Sequence, residues 1–207
     1  MTYTSAEKQE ALRKASRNNL FCFAVNMFYA RRGYQWMVAR HHALICDALE
    51  RVFNGETKRL IINIPPRYSK TEIAVVNFIA WAMGRVPDCE FIHASYSATL
   101  AVNNSVQIRN LVQHEEYRAI FPDLALASES SHHWKTTVGG VMYATGTGAR
   151  LPALVRANTA RGSAAQSYWT ICTRPTKHEA RSDGRMLSTG FKIRWNHGRT
   201  APIHRLS

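Results

Sequence analysis

The chain has 207 residues, 45% of them apolar, and a formal net charge of +13. That length suits one domain with a full core, or one domain and a tail, and the apolar content indicates a globular body rather than a disordered chain. The charge is unevenly spread. Residues 1–149 hold 16 Lys and Arg against 12 Asp and Glu, a net of +4, whereas residues 150–207 hold 11 against 2, a net of +9.

The four cysteines, Cys22, Cys46, Cys89 and Cys172, lack C-x-x-C spacing, and three lie in apolar stretches, as expected of buried free thiols in a reducing cytoplasm. The apolar run from Leu20 to Ala30 is about half of what a bilayer span requires, and Glu7 and Glu10 precede it. No membrane span and no export signal is expected, and a cytoplasmic location follows.

In chain order, Thr4 or Ser5 caps a predicted helix over Ala6–Arg17, and Leu20–Tyr29 continues as a largely buried helix ending near Gly33. Residues 1–35 thus form a helical lead-in. Met37, His41, Leu44, Ile45, Ala48, Leu49 and Val52 recur at three- and four-residue spacing, predicting an amphipathic helix over Trp36–Phe53 that Asn54-Gly55 ends. Leu60–Ile64, with three Ile, reads as a short strand buried on both faces. A helix over Thr71–Met83, a second buried strand over Cys89–Ser95 and a long helix over Ala98–Tyr117 follow. This alternation predicts parallel strands with right-handed crossovers, and Trp134–Tyr143 reads as a hairpin turning at Gly139-Gly140. Beyond Gly148 the periodicity fails, and residues 150–207 read as an irregular basic tail without placed elements.

Chemistry concentrates where the first strand meets its helix. Arg59–Glu72 reads Arg-Leu-Ile-Ile-Asn-Ile-Pro-Pro-Arg-Tyr-Ser-Lys-Thr-Glu, a strand, a loop and a helix start. Such a junction gathers amide N–H groups, a helix N-terminus and one Lys around a point, which suits the phosphate chain of a nucleotide. Phosphate loops usually place Gly at two positions that here hold Ile64 and Ser69. Pro65 and Pro66 offer no N–H, so Arg67, Tyr68, Ser69, Lys70 and Thr71 must supply the cradle, with Lys70 on the outer phosphates and the Thr71 hydroxyl on magnesium. The competing reading is that Lys70-Thr71 is an ordinary exposed helix start. The setting after a buried strand and before an apolar helix favours the phosphate site.

His41–Gly148 resembles the N-terminal ATPase domain of phage terminase large subunits, the motors that pack DNA into procapsids. The matching pieces are His41-His42, Leu60–Glu72, Ala80-Trp81, Gly84-Arg85-Val86-Pro87 and Ala94-Ser95-Tyr96-Ser97, followed by Arg109, Phe121-Pro122-Asp123, Trp134, Thr136, Gly139-Gly140 and Gly146-Thr147-Gly148. The resemblance implies an α/β chain with a partial P-loop NTPase domain over residues 36–149, a parallel sheet with flanking helices. It implies ATP and Mg2+ as cofactors, bound through Arg67, Tyr68, Ser69, Lys70 and Thr71, with Trp36, His41 and His42 near the adenine. The other reading of the two histidines is a helix surface with one ring half-buried. No direct metal site is expected there. In intact members the partners are double-stranded DNA, the portal and the small terminase subunit, in the cytoplasm of the bacterial host.

The family continues after Gly-Thr-Gly with an apolar strand ending in an acidic pair that holds magnesium and orients the attacking water. Residues 149–207 offer only Glu179 and Asp183 as acids, neither after an apolar strand. The expectation is therefore an inactive terminase remnant without Walker B acids or nuclease domain. A second reading is a small basic nucleic-acid-binding protein whose tail grips phosphates through Arg and Lys and stacks bases on Trp169 and Trp195.

The genetic code bears on the tail. Trp169 must be TGG and Thr170 must begin AC, so a frame one base earlier spells GAC, an aspartate. With permitted codons Ser163–Lys177 re-reads as Phe-Gly-Gly-Ala-Ile-Leu-Leu-Asp-Asp-Leu-His-Lys-Ala-Asp-Glu, the missing strand with its acidic pair. The hypothesis is a frameshift near Gly148–Arg150. Sequencing the gene from the Val141 codon onward is expected to find a displaced frame that runs through an acidic strand. A single undisturbed frame with nothing terminase-like beyond it refutes the shift.

Overall fold

In the computed structural model, residues 4–128 and 130–146 are described in full, with the backbone of two later strands at 167–175 and 189–197. Helices α1 (Ser5–Asn18), α2 (Leu20–Arg32) and α3 (Arg40–Phe53) precede strand β1 (Arg59–Ile64). A π-helical turn over Glu72–Asn77 runs into α4 (Phe78–Arg85), and β2 (Glu90–Ser95), α5 (Ala98–Val112) and α6 (Glu115–Ile120) follow. The remaining strands are β3 (His133–Lys135), β4 (Val141–Gly146), β5 (Ser167–Pro175) and β6 (Thr189–His197).

The strands form one mixed sheet in the order β1-β6-β5-β2-β4-β3. Strand β2 is parallel to β4 and β5, while β5–β6, β6–β1 and β3–β4 are antiparallel. It follows that β1, β5, β2 and β4 all point one way and end at one edge of the sheet. Open α/β sheets bind ligands outside that carboxyl edge.

The core centres on the segment from Ile73 to Met83, where every side chain is buried. Around it, Phe78 meets Phe91 of β2 edge-to-face and Trp81 packs on Phe53 of α3. Tyr117 Oη donates to Ala80 O at 2.7 Å. Trp81 Nε1 donates to Ser16 O at 3.2 Å, and the Arg13–Glu116 ion pair at 3.0 Å ties α1 to α6, so the N-terminal helices pack directly on the body. Cys46 and Cys89 are buried and Cys22 is half-buried, all as free thiols. Among the described residues no helix is long and apolar enough to cross a membrane.

The first helix is capped as read: Thr4 and Glu7 make a reciprocal capping box. Gly33 ends α2 in the left-handed region at φ +74°. The sheet is mixed rather than the parallel one expected, because β6 enters antiparallel between β1 and β5 and β3 pairs antiparallel with β4. Four further expectations need correction. The third helix starts at Arg40 rather than Trp36. Ala39 is extended, its N–H goes to His42 Nδ1 at 3.1 Å, and Met37, the first residue of the apolar period, is 91% exposed. The long helix over Ala98–Tyr117 breaks after Val112, because His114 leaves the helical region and its Nδ1 accepts the Glu116 N–H at 3.2 Å to cap α6. Strand β1 is buried on one face only: Ile62 is 7% exposed but Ile61 is 62% exposed, because no described helix covers that face.

The last of these concerns the tail, which contributes two strands. β6 pairs with β1 over Arg59–Ile64, and β5 pairs with β2 over Glu90–Ser95, so β1 has β6 on one side and ends the sheet on the other. Glu179, Asp183 and residues 147–150, where the frameshift is expected, lie outside the described residues.

The β3–β4 hairpin turns at Gly139, φ +102°, and Gly140. Thr136 Oγ1 donates to Pro87 O at 2.7 Å and accepts the Gly140 N–H at 2.8 Å. A Cβ on Gly140 would stand 2.2 Å from Pro87 O and 3.0 Å from Cys89 O, both backbone atoms unable to swing away. Gly140→Ala is expected to destabilise the fold by about 1–3 kcal/mol, measured by denaturant unfolding. An unchanged midpoint would refute this close approach.

Candidate functional site

The loop Pro65–Thr71 leaves β1 at the carboxyl edge where the parallel strands end. Two of its non-glycine residues hold left-handed backbone, Arg67 at φ +69° and Ser69 at φ +57°. Each costs about 1–2 kcal/mol relative to ordinary backbone, so surrounding packing must hold them. Ser69 is one of the positions where glycine is usual, and its φ shows why. The Ile73 N–H donates to Ser69 O at 3.0 Å, which starts the helix immediately after the bend.

Within the loop Lys70 is 7% exposed, and its Nζ donates to Ile64 O at 3.2 Å. The ammonium lies across the loop mouth against the last carbonyl of β1, and burial lowers its pKa. A desolvated cation gains more from an anion than a hydrated one does. Arg67, Tyr68 and Thr71 are exposed and Ser69 is half-buried. Ser95 of β2 and Gly146 of β4 end at the same edge, and Gly146 lies so close to α5 that a Cβ there would approach Ala98 N to 3.3 Å.

Trp36, His41 and His42 come together with the loop. Trp36 stacks on Phe28 with centroids 5.0 Å apart and meets His42 at 4.8 Å. His42 meets His41 at 4.0 Å, and His41 meets Tyr68 of the loop at 5.5 Å. A line of rings therefore joins α2 to the loop Pro65–Thr71. His42 is the buried member of the pair and caps α3 through Nδ1, while His41 Nε2 is buried without a hydrogen-bond partner among the described residues. The pair therefore lies beside the loop, with His42 buried and His41 half-buried. No group of His, Cys, Asp and Glu that could hold a metal ion occurs among the described residues.

Sequence reasoning missed three residues behind the loop. Arg31 at the end of α2 pairs with Glu72, the residue after Thr71. Asn77 Nδ2 donates to Glu72 O at 2.7 Å and to Glu72 Oε1 at 3.0 Å. The available signal was Asn77 itself, one polar residue inside the apolar run Ile73–Met83. A buried amide in such a run must find partners.

No protein-family model matches the chain, and no curated protein is detectably similar to it.

The His42 cap sets a pH dependence. Burial, and then the nearby His41, lower the His42 pKa below its ordinary 6.5. The unfolded chain therefore takes up a proton that the folded chain resists. The contribution of neutral His42 is complete above pH 6.5 and is lost as pH falls through the lower folded value. Between pH 7 and about 5 the melting temperature is expected to fall less steeply for His42→Gln than for the unaltered chain. Equal slopes would show that the cap does not titrate.

Proposed function

We propose that the chain derives from the ATPase domain of a phage terminase large subunit and retains a nucleoside-triphosphate cradle without the machinery to hydrolyse it. The observation that carries this reading is the loop: Arg67 and Ser69 accept left-handed backbone without being glycine. Lys70 is buried at the carboxyl edge of the parallel strands. Strain of this kind persists where a loop must present its amides in one direction.

In this reading the amides of Arg67–Thr71 wrap the β- and γ-phosphates, and Lys70 moves its donor from Ile64 O to phosphate oxygen. Arg67, exposed in the loop, adds charge from outside. The ring line from Tyr68 through His41 and His42 to Trp36 gives the base an aromatic flank beside the loop. Thr71 carries an exposed hydroxyl at the helix start, which fits Mg2+ held mainly by phosphates and water. The ion would supply charge neutralisation to the triphosphate. Residues 149–207 hold only Glu179 and Asp183 as acids, so turnover, which depends on positioned carboxylates, is expected to be lost.

The extended backbone of one tail segment supports the frame hypothesis. β5, Ser167–Pro175, covers the stretch that re-reads in the earlier frame as an apolar strand with an acidic pair. The competing nucleic-acid reading is supported by the +9 charge of residues 150–207 and the register pairing of Trp169 with Trp195. It requires salt-dependent DNA binding that disappears with that segment.

Magnesium-ATP titration decides the main reading. Lys70→Ala is expected to weaken binding by about 10- to 150-fold, the loss of one charge-assisted contact of about 1.5–3 kcal/mol. Phosphate release by the unaltered chain is expected to match that of the same variant. Equal affinity in both proteins overturns the phosphate cradle, and turnover that needs Lys70 overturns the inactive assignment.

A further inference from the structure

Glu72 is an awkward neighbour for a polyphosphate. It follows Lys70-Thr71 directly, at the start of the helix that leaves the loop. A carboxylate there suits the helix dipole but repels an anion bound at the same N-terminus. Its surroundings restrain it on more than one side. An Arg31 Nη2 donates to Glu72 Oε1, and Arg31 Nε donates to Met27 O at 3.2 Å, which fixes the guanidinium at the end of α2. The two side chains are only 17% and 20% exposed. From the other side Asn77, fully buried, gives Nδ2 to Glu72 O at 2.7 Å and to Glu72 Oε1 at 3.0 Å.

These contacts bracket the π-helical turn, Glu72–Asn77, at its first and last residues. A side chain inserted into the backbone ladder widens a helix locally, and Asn77 does so on the Glu72 carbonyl. The Asn77 Oδ1 has no hydrogen-bond partner among the described residues, so the amide is held for its donors. The costs of an irregular turn and an orphaned carbonyl are borne one residue beyond the candidate phosphate site.

We propose that Arg31 is a positioning residue for the polyphosphate, acting through Glu72: with Asn77 it holds the carboxylate against α2 and neutralises it beside the loop. This rests on the phosphate-cradle reading. An ion pair that merely docks α2 would have a different signature. Losing either partner would then reduce stability and binding together, and losing both would not help binding.

The test is a cycle of Arg31→Ala, Glu72→Gln and the double variant, each titrated with magnesium-ATP and with inorganic tripolyphosphate, alongside Lys70→Ala and a melting curve for each. Arg31→Ala leaves an unpaired carboxylate by the loop and is expected to weaken both ligands about tenfold. Glu72→Gln is expected to bind at least as tightly as the unaltered chain, and the double variant to return within about twofold of Glu72→Gln. Arg31→Lys, which keeps the charge, is expected to lose less than Arg31→Ala. Should Arg31→Ala fail to fold, Glu72→Gln decides alone, and weaker binding by that variant overturns the inference. If Lys70→Ala abolishes binding while the Arg31 and Glu72 variants follow only their melting temperatures, this inference falls and the cradle stands. If Lys70→Ala binds like the unaltered chain, both fall.

Discussion

The helical segment that leaves the loop Pro65–Thr71 is enclosed on every side, and the other elements are placed by how they cover it. Ile73–Met83 exposes almost nothing. An all-round apolar helix cannot rest on a surface, so α1, α2 and α3 must wrap one side while the sheet and α5 take the other. Each large side chain so buried contributes about 1.5–3 kcal/mol. Contacts of Trp81 with Phe53, of Phe78 with Phe91 and of Tyr117 with the Ala80 carbonyl fix its rotation as well as its depth. Gly84 belongs to the same constraint, because a Cβ there would stand 2.4 Å from the Phe121 ring.

That anchoring makes the loop possible. Arg67 and Ser69 each hold a backbone conformation that would relax in a free peptide. The strand before them and the buried helix after them leave no slack, so the strain is retained. A glycine would reach the same φ at lower cost but would also widen the unfolded ensemble. The burial of Lys70 has the same origin: the helix start is drawn inward, and the Ile64 carbonyl receives its ammonium.

Local signals that need only neighbouring residues were legible in the sequence. The Thr4 capping box, the Gly33 stop, the β1-loop-helix junction and the Gly139-Gly140 turn are short-range features with one physical solution each. The ring line was legible only in part. Trp36, His41 and His42 were marked, but the contact with Tyr68 spans residues far apart in the chain. Errors arose where tertiary contacts overrode a period. Trp36 turns to stack on Phe28 instead of opening α3, and His114 caps α6 in the middle of what reads as one helix. The ion pair of Arg31 with Glu72 crosses from one helix to another and leaves no spacing signature.

The tail strands separate two properties that usually come together. A sheet edge needs a partner for its N–H and C=O groups, and almost any extended segment with β-branched and aromatic residues can supply one. The runs Tyr168-Trp169-Thr170-Ile171 and Phe191-Lys192-Ile193-Arg194-Trp195 qualify on composition alone, and β5 and β6 pair through backbone in their registers. Phosphoryl transfer is not so permissive, since it needs a carboxylate at one place relative to the loop. A one-base displacement of the frame would preserve an extended partner for β2 while removing the acids. On that proposal β2 keeps its partner, Lys70 and Ser69 stay in position, and what is lost is the chemistry rather than the cradle.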